Sequence, residues 1–341
     1  MEQSLNATQE KQRLCHASLI AGAIGDSLGA DIEFDSLDEI LIKFPHGVNQ
    51  LSRTSSRDKG WFTDDTQMTL WTAEGLIQAD VSLSDQQARR RLIESVHEAL
   101  LLWLKTQGGR PQISVKMQTP LIDDQRLWFR AAPGNTCLSS LIGAEELGAR
   151  AQNNSKGCGT IMRVAPVALG LPSEMVWDVA SETSALTHGH PAAYIAAAAW
   201  ALILSDVFHG MSLDVAVQRA LDRCRCEESD RHGRTVEASI VAALEAKRDG
   251  SPETVKTLGE GWVADEALAI ALYAVLAAEG DFERGLQIAV THTGDSDSTG
   301  AIAGNLLGLL YSNQIFAHRW STEIGGADLI ERCGELALST R

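Results

Sequence analysis

The chain is short of positive charge: 29 Lys and Arg stand against 45 Asp and Glu, a formal net charge of −16 in 341 residues. Such a field repels nucleic-acid backbones and anionic lipid surfaces, so neither is expected as a partner. An anionic ligand then has to be met by bound cations, backbone N–H groups or a few placed basic side chains. Cysteine is scarce as well. Cys15, Cys137, Cys158, Cys224, Cys226 and Cys333 are too few and too scattered for a disulfide scaffold and read as reduced thiols, which suits the cytoplasm. The opening MEQSLNATQEKQR lacks the apolar centre of a secretory signal or a membrane anchor, and residues 1–12 are expected to form a flexible tail. The longest apolar run, PAAYIAAAAWALILSDVF from Pro191, is Ala-rich, interrupted by Asp206 and barely as long as the shortest membrane spans. A helix buried inside the protein is expected there.

Strand patterns, solenoid periods and low-complexity linkers are missing too. What remains is ordinary globular composition, 44 % hydrophobic and 22 % charged, with Ala, Leu and Glu in long windows of helical spacing. An all-α protein follows, with residues 13–341 as a single domain. Helices are expected at RLCHASLIAGAIGDSLGA, TDDTQMTLWTAEGLIQAD, QQARRRLIESVHEALLLWLKT, TCLSSLIGAEELGAR, MVWDVASETSALT, AAYIAAAAWALILSDVF and SLDVAVQRALDRC. Four more are expected at TVEASIVAALEAKR, ADEALAIALYAVLAAEG, DFERGLQIAVTHT and STGAIAGNLLGLLYS. From Asp31 to Lys59 the period is lost, and Pro45, Gly47, Asn49 and the run SRTSSRDKG read as loop.

Two acidic clusters stand out. In WFTDDTQMT, Thr63, Asp64 and Asp65 sit where a loop enters a helix; they serve either as an N-cap with first-turn acids or as hard oxygen ligands for a divalent cation. In THTGDSDSTGAIAG, Asp295 and Asp297 alternate with Ser296 and Ser298 ahead of a segment made for burial. Buried carboxylates without a counter-ion cost several kcal/mol each, so positive charge is expected there. If the fold joins the two clusters, four Asp face one centre and call for about two divalent ions, with Mg²⁺ or Mn²⁺ suited to an all-oxygen set.

Three other segments carry weaker signals. SKGCGTIMRVAP offers Gly157 and Gly159 as a backbone nest for a diphosphate leading into a helix, or as a plain tight turn, with Arg163 as anion ligand or structural ion pair. In ALTHGHPAA, His188 and His190 precede a buried helix and can cap it. Cys224, Cys226 and His232 lie in a charged stretch that reads as a solvated connection rather than a zinc site.

Taken in order, GAIGDSLGADIEF, DKGWFTDDTQMTLWTAEGL, SKGCGTIMRVAPVAL, LTHGHPAA, GWVADEALAIALYAVL and THTGDSDSTGAIAGNLLG resemble the ADP-ribosylglycohydrolase family. The resemblance implies a compact, orthogonally packed multi-helix fold holding two Mg²⁺ ions. It places Thr63, Asp64 and Asp65 on one metal motif and Asp295, Asp297 and Ser298 on the other. Asp65 and Glu33 become candidates for general base, and Asp26 takes a structural role. Gly157, Cys158, Gly159, Thr160 and Met162 match a loop that holds the diphosphate and adjoining ribose, with His188 lining the same cleft. The implied reaction releases ADP-ribose from a modified protein, and the serines of GDSDSTG resemble members that act on ADP-ribosyl-arginine. An O-linked serine or acetyl ester, and a non-catalytic protein that binds ADP-ribose or blocks an ADP-ribosyltransferase, are the alternatives. A monomer is expected.

Overall fold

The computed structural model describes residues 2–53, 59–79, 87–226 and 231–338. The Ser/Arg run at 54–58, the start of the QQARRR segment at Gln86 and the acidic centre of the Cys224 segment, 227–230, lie outside these residues. Among the described residues the protein is all helix with no strand, as the spacing predicts; one isolated bridge joins Gly157 and Val263.

The longer elements, in order, are α1 (Glu2–Gly29), α2 (Leu37–Lys43), α3 (Asp64–Gln78) and α4 (Ala88–Thr106). They are followed by α5 (Asn135–Ile142), α6 (Ser173–Ala185), α7 (Pro191–Phe208) and α8 (Leu213–Cys226). The last four are α9 (Arg231–Glu245), α10 (Ala264–Ala277), α11 (Phe282–Val290) and α12 (Ser296–Leu310), with shorter turns between and after them. Apolar α7 is the one described helix long and hydrophobic enough to cross a membrane, yet 83 % of it is buried inside the protein, packed by α6, α8, α9 and α10. Its Ala run lets those neighbours approach closely, and Trp200 fills the space between them.

The most extensive contact in the molecule joins its two ends, α1 against α12. Small residues cause it. A Cβ on Gly25 would lie 2.0 Å from the Gly300 carbonyl oxygen, and one on Gly304 would lie 2.2 Å from that of Ala21, so the backbones touch where a larger residue would hold them apart. Ser18 and Asn305 seal the seam reciprocally, Ser18 Oγ donating to Asn305 O at 2.8 Å and Asn305 Nδ2 to Ser18 O at 3.0 Å.

Three sequence expectations are corrected. The polar N-terminal stretch is part of α1 rather than a loose tail: Glu, Gln and Lys are good helix formers, Lys11 lies over the Phe208 ring, and Arg13 donates to Ser312 at 3.2 Å. The helix expected through Arg150 stops at Ile142, because Gly143 closes it and the Gly148 N–H is taken by His97 Nδ1 at 3.0 Å. The 31–59 loop contains α2, whose seven residues are too few to show a period. A capping box starts it: Ser36 N donates to Glu39 Oε2 at 2.8 Å while Ser36 Oγ accepts from Glu39 N.

Candidate active site

The α1–α12 seam aims the loop after α1 at the N-terminus of α12. A Cβ on Gly29 would fall 2.3 Å from the Asp297 N, so Glu33, four residues on, arrives beside the second acidic cluster. Ligand atoms of Glu33, Asp295 and Asp297 all lie within 4.8 Å of one another. Asp64 and Asp65, in the first turn of α3, line the same cleft with Ser298, so the two distant clusters do meet. The carboxylates therefore sit at two helix N-termini, whose dipoles partly offset the negative charge. The cleft encloses about 220 Å³. A hollow of about 590 Å³ beside Gly143 and Arg150 is larger but gathers no buried carboxylate.

Each acid is held by its own local structure. Asp26, wholly buried on α1, accepts from the backbone N–H of Thr63 at 2.9 Å and of Thr66 at 3.0 Å, and from Thr66 Oγ1 at 2.6 Å. It thus fixes the turn that carries Asp64 and Asp65, the structural role expected of it. Thr63 N-caps α3, and its side chain borders a neighbouring hollow rather than the cleft that holds the aspartates. Asp295 occupies the N-cap position of α12 but makes no side-chain cap bond; its Oδ2 accepts from the Cys158 thiol at 2.7 Å. Asp297 Oδ1 accepts from the Ser298 N–H at 2.9 Å.

Burial and mutual repulsion push these groups the same way. Burial, then neighbouring carboxylates, raise Asp64, Asp65 and Asp297 well above the ordinary range. Burial, followed by Asp295 and Asp26, pushes Glu33 up to about 8. Burial pushes Asp26 up to about 6 against the hydrogen bonds from Thr66 and Thr63 that pull it down. Asp65 Oδ1 is buried with no hydrogen-bond partner. An orphaned buried carboxylate oxygen beside three convergent hard donors fits a divalent cation.

The glycine loop forms the opposite wall. Gly157, Cys158, Gly159, Met162 and His188 line the cleft; Thr160 does not, being fully buried with its hydroxyl donating to the Ala193 carbonyl at 3.1 Å. The loop enters a 3-10 turn, Ile161–Arg163, rather than an α-helix, so a long helix dipole does not stand behind it. Its Gly157 N–H donates to Ser155 Oγ at 3.4 Å and its Cys158 N–H to the Trp262 carbonyl at 3.2 Å. Arg163 is a loop brace rather than an anion ligand: buried, it donates to the carbonyls of Gly159 and Thr183 and to Thr187 Oγ1 at 3.0–3.1 Å. His188 is held neutral by burial, down to about 3, with Nδ1 against Thr187 Oγ1 at 2.9 Å. His190 caps α7 through the Ala192 N–H at 3.1 Å. Buried Cys224, exposed Cys226 and His232 form no metal-binding group among the described residues.

Sequence reading passed over Trp262, Asn135, Thr136 and Ala132, all of which line the cleft. Ala132 holds φ 56°, a left-handed conformation uncommon outside glycine; the dipeptide Pro133-Gly134 beside it is the local signal that a turn was required.

Comparison with known proteins bears on this geometry. The family model described as ADP-ribosylglycohydrolase matches residues 7–341. ADP-ribosyl-[dinitrogen reductase] glycohydrolase of Rhodospirillum rubrum is 25 % identical over 311 residues, 89 % of this chain and 87 % of that one. An uncharacterized protein of Archaeoglobus fulgidus is 26 % identical over 303 residues, 88 % and 87 % of the two chains. The fold is shared with a solved ADP-ribosylglycohydrolase-related protein complex at a TM-score of 0.65 and 21 % identity, over 98 % of this chain and 100 % of that one. With a match spanning nearly its whole length, the chain belongs to the ADP-ribosylglycohydrolase family, hydrolases that remove ADP-ribose.

Proposed function

We propose that this protein is a magnesium-dependent hydrolase that cleaves the N-glycosidic bond of ADP-ribosyl-arginine in modified proteins. The observation that carries the reading is the meeting of Glu33, Asp295 and Asp297 with Asp64 and Asp65 in one cleft shared with the glycine loop. Asp64, Asp65, Asp295, Asp297 and Ser298 would hold a pair of Mg²⁺ ions, with Mn²⁺ as a substitute and Thr63 supporting the turn from behind. When bound, such ions grip vicinal hydroxyls and acidify water.

The chain's own groups do the rest. Gly159 and Met162 border the diphosphate and ribose, and neutral His188 contributes a hydrogen-bonding edge without adding charge. Cleavage of the glycosidic bond builds oxocarbenium character at the anomeric carbon, which the surrounding carboxylates stabilise. Glu33 is the acid that solvent partly reaches, whereas Asp65 is buried with an orphaned oxygen. Glu33 is therefore assigned the proton, which its carboxylate takes from the attacking water and passes to the departing guanidine nitrogen, and Asp65 would hold the metal. The resemblance of GDSDSTG to members that act on ADP-ribosyl-arginine supports a cationic leaving group over a serine hydroxyl.

The test is release of ADP-ribose from arginine-, serine- and acetyl-linked substrates, with Mg²⁺ and with EDTA. Magnesium-dependent release from arginine alone is expected. Release from serine alone, or undiminished release in EDTA, refutes the proposal.

A further inference from the structure

Phe34, the residue after Glu33, is 82 % exposed, and it stacks on Trp262, itself 38 % exposed and part of the cleft lining. The ring centroids are 5.8 Å apart and the planes 22° from parallel. Two large aromatic rings left in water at the mouth of an active site are a surface built for contact. The shelf is also fixed in place. The Trp262 carbonyl accepts from the Cys158 N–H, and the Ala264 N–H donates to Lys156 O at 2.9 Å, so its backbone is strapped to the glycine loop.

The charge around the shelf is negative. Glu33 flanks Phe34, and exposed Glu260 lies two residues before Trp262, with its carbonyl accepting from the Asp295 N–H at 2.8 Å. Two cations of the flanking segments are engaged, Lys43 with Asp35 at 2.5 Å and Lys156 with Asp265 at 3.3 Å. Flat apolar faces in an acidic field suit a planar, delocalised and weakly hydrated cation.

We infer that Phe34 and Trp262 form the leaving-group subsite and hold the guanidinium of an ADP-ribosylated arginine against their faces. The placement follows from chain connectivity: Glu33 belongs to the carboxylate group at which the bond breaks, and Phe34 is its immediate neighbour, so the shelf borders the departing side. The inference rests on the arginine reading above and names the residues that enforce it. A neutral serine acceptor has no group to place there. The adenine ring is the rival occupant of any aromatic shelf, and the experiment separates the two.

Agmatine, a small guanidinium probe, is titrated by NMR into the full-length protein saturated with Mg²⁺ and ADP-ribose. Hydrolysis of ADP-ribosyl-arginine is followed in parallel. Phe34→Ala and Trp262→Ala should each weaken agmatine binding about fivefold and raise KM by a similar factor with kcat little changed. Trp262→Phe should restore both, and affinity for ADP-ribose itself should stay within about twofold. Circular dichroism confirms that each variant folds. Agmatine binding indifferent to both substitutions overturns the inference. So does a parallel loss of ADP-ribose affinity, which would give the shelf to the adenine. If both rings hold agmatine but only serine-linked substrate is hydrolysed, the shelf stands and the arginine reading falls.

Discussion

Removing the charge of Glu33 should stabilise the metal-free protein, and only at high pH. In the fold its carboxyl is pushed from 4.5 up to about 8 by burial and by Asp295 and Asp26. A group raised in this way leaves stability intact below its ordinary value and removes it as pH climbs through the folded value. Full expression of the difference would correspond to a ceiling of about 5 kcal/mol. Glu33 is partly open to water, and screening brings the expected effect to roughly 2 kcal/mol. For a chain of this length that is roughly 3–5 °C in melting temperature. The assay is thermal unfolding of wild type and Glu33→Gln in EDTA at pH 5 and pH 9, followed by circular dichroism. The variant should match wild type at pH 5 and melt several degrees higher at pH 9. Saturating Mg²⁺ should stabilise wild type at pH 9, by about 2.7 kcal/mol at a hundred times its Kd, and erase or reverse the variant's advantage. A variant less stable than wild type at pH 9 in EDTA, or an advantage of equal size at both pH values, would refute the picture of repelling acids awaiting a cation.

Asp65→Ala should abolish hydrolysis and magnesium-induced stabilisation with the circular dichroism spectrum unchanged; undiminished turnover removes Asp65 from the site. Asp26→Asn keeps the shape but weakens the acceptor for three hydrogen bonds, so about 1–3 kcal/mol of stability and at least tenfold in Mg²⁺ affinity should be lost, checked by denaturation and calorimetry. Gly25→Ala forces a Cβ to 2.0 Å from a carbonyl oxygen that cannot give way; a loss of about 3 kcal/mol or more is expected, and a change below 0.5 kcal/mol on urea denaturation would contradict the seam. Arg225→Glu, in the charged segment far from the cleft, should leave turnover within about twofold, and zinc in elemental analysis of the protein would contradict the reading of that segment.

The chemistry was more legible than its supports. Asp64, Asp65, Asp295 and Asp297 announce themselves because carboxylates crowded before apolar helices are electrostatically expensive, and the fold does bring them into one cleft. The small residues of α1 and α12 were visible too, but nothing in a linear string says that Gly25 meets Gly300. Thr160 illustrates the limit of adjacency: it directly follows cleft-lining Gly159 and stands two residues before cleft-lining Met162, yet its hydroxyl turns toward Ala193 as the chain enters the 3-10 turn. Trp262 and Ala132 escaped because they lie in irregular segments, where no period reports which side of the backbone faces the ligand. Helix α2 escaped by brevity.

The clasp between α1 and α12 also dictates when in the life of the molecule catalysis can begin. Half of the acidic centre is translated within the first 65 residues and the other half only after residue 294, and partners so remote in sequence close late and slowly. A nascent chain leaving the ribosome carries its first aspartates unopposed until the final helices emerge, and any message truncated before that point yields an inert product. Activity thus reports that synthesis passed Asp297.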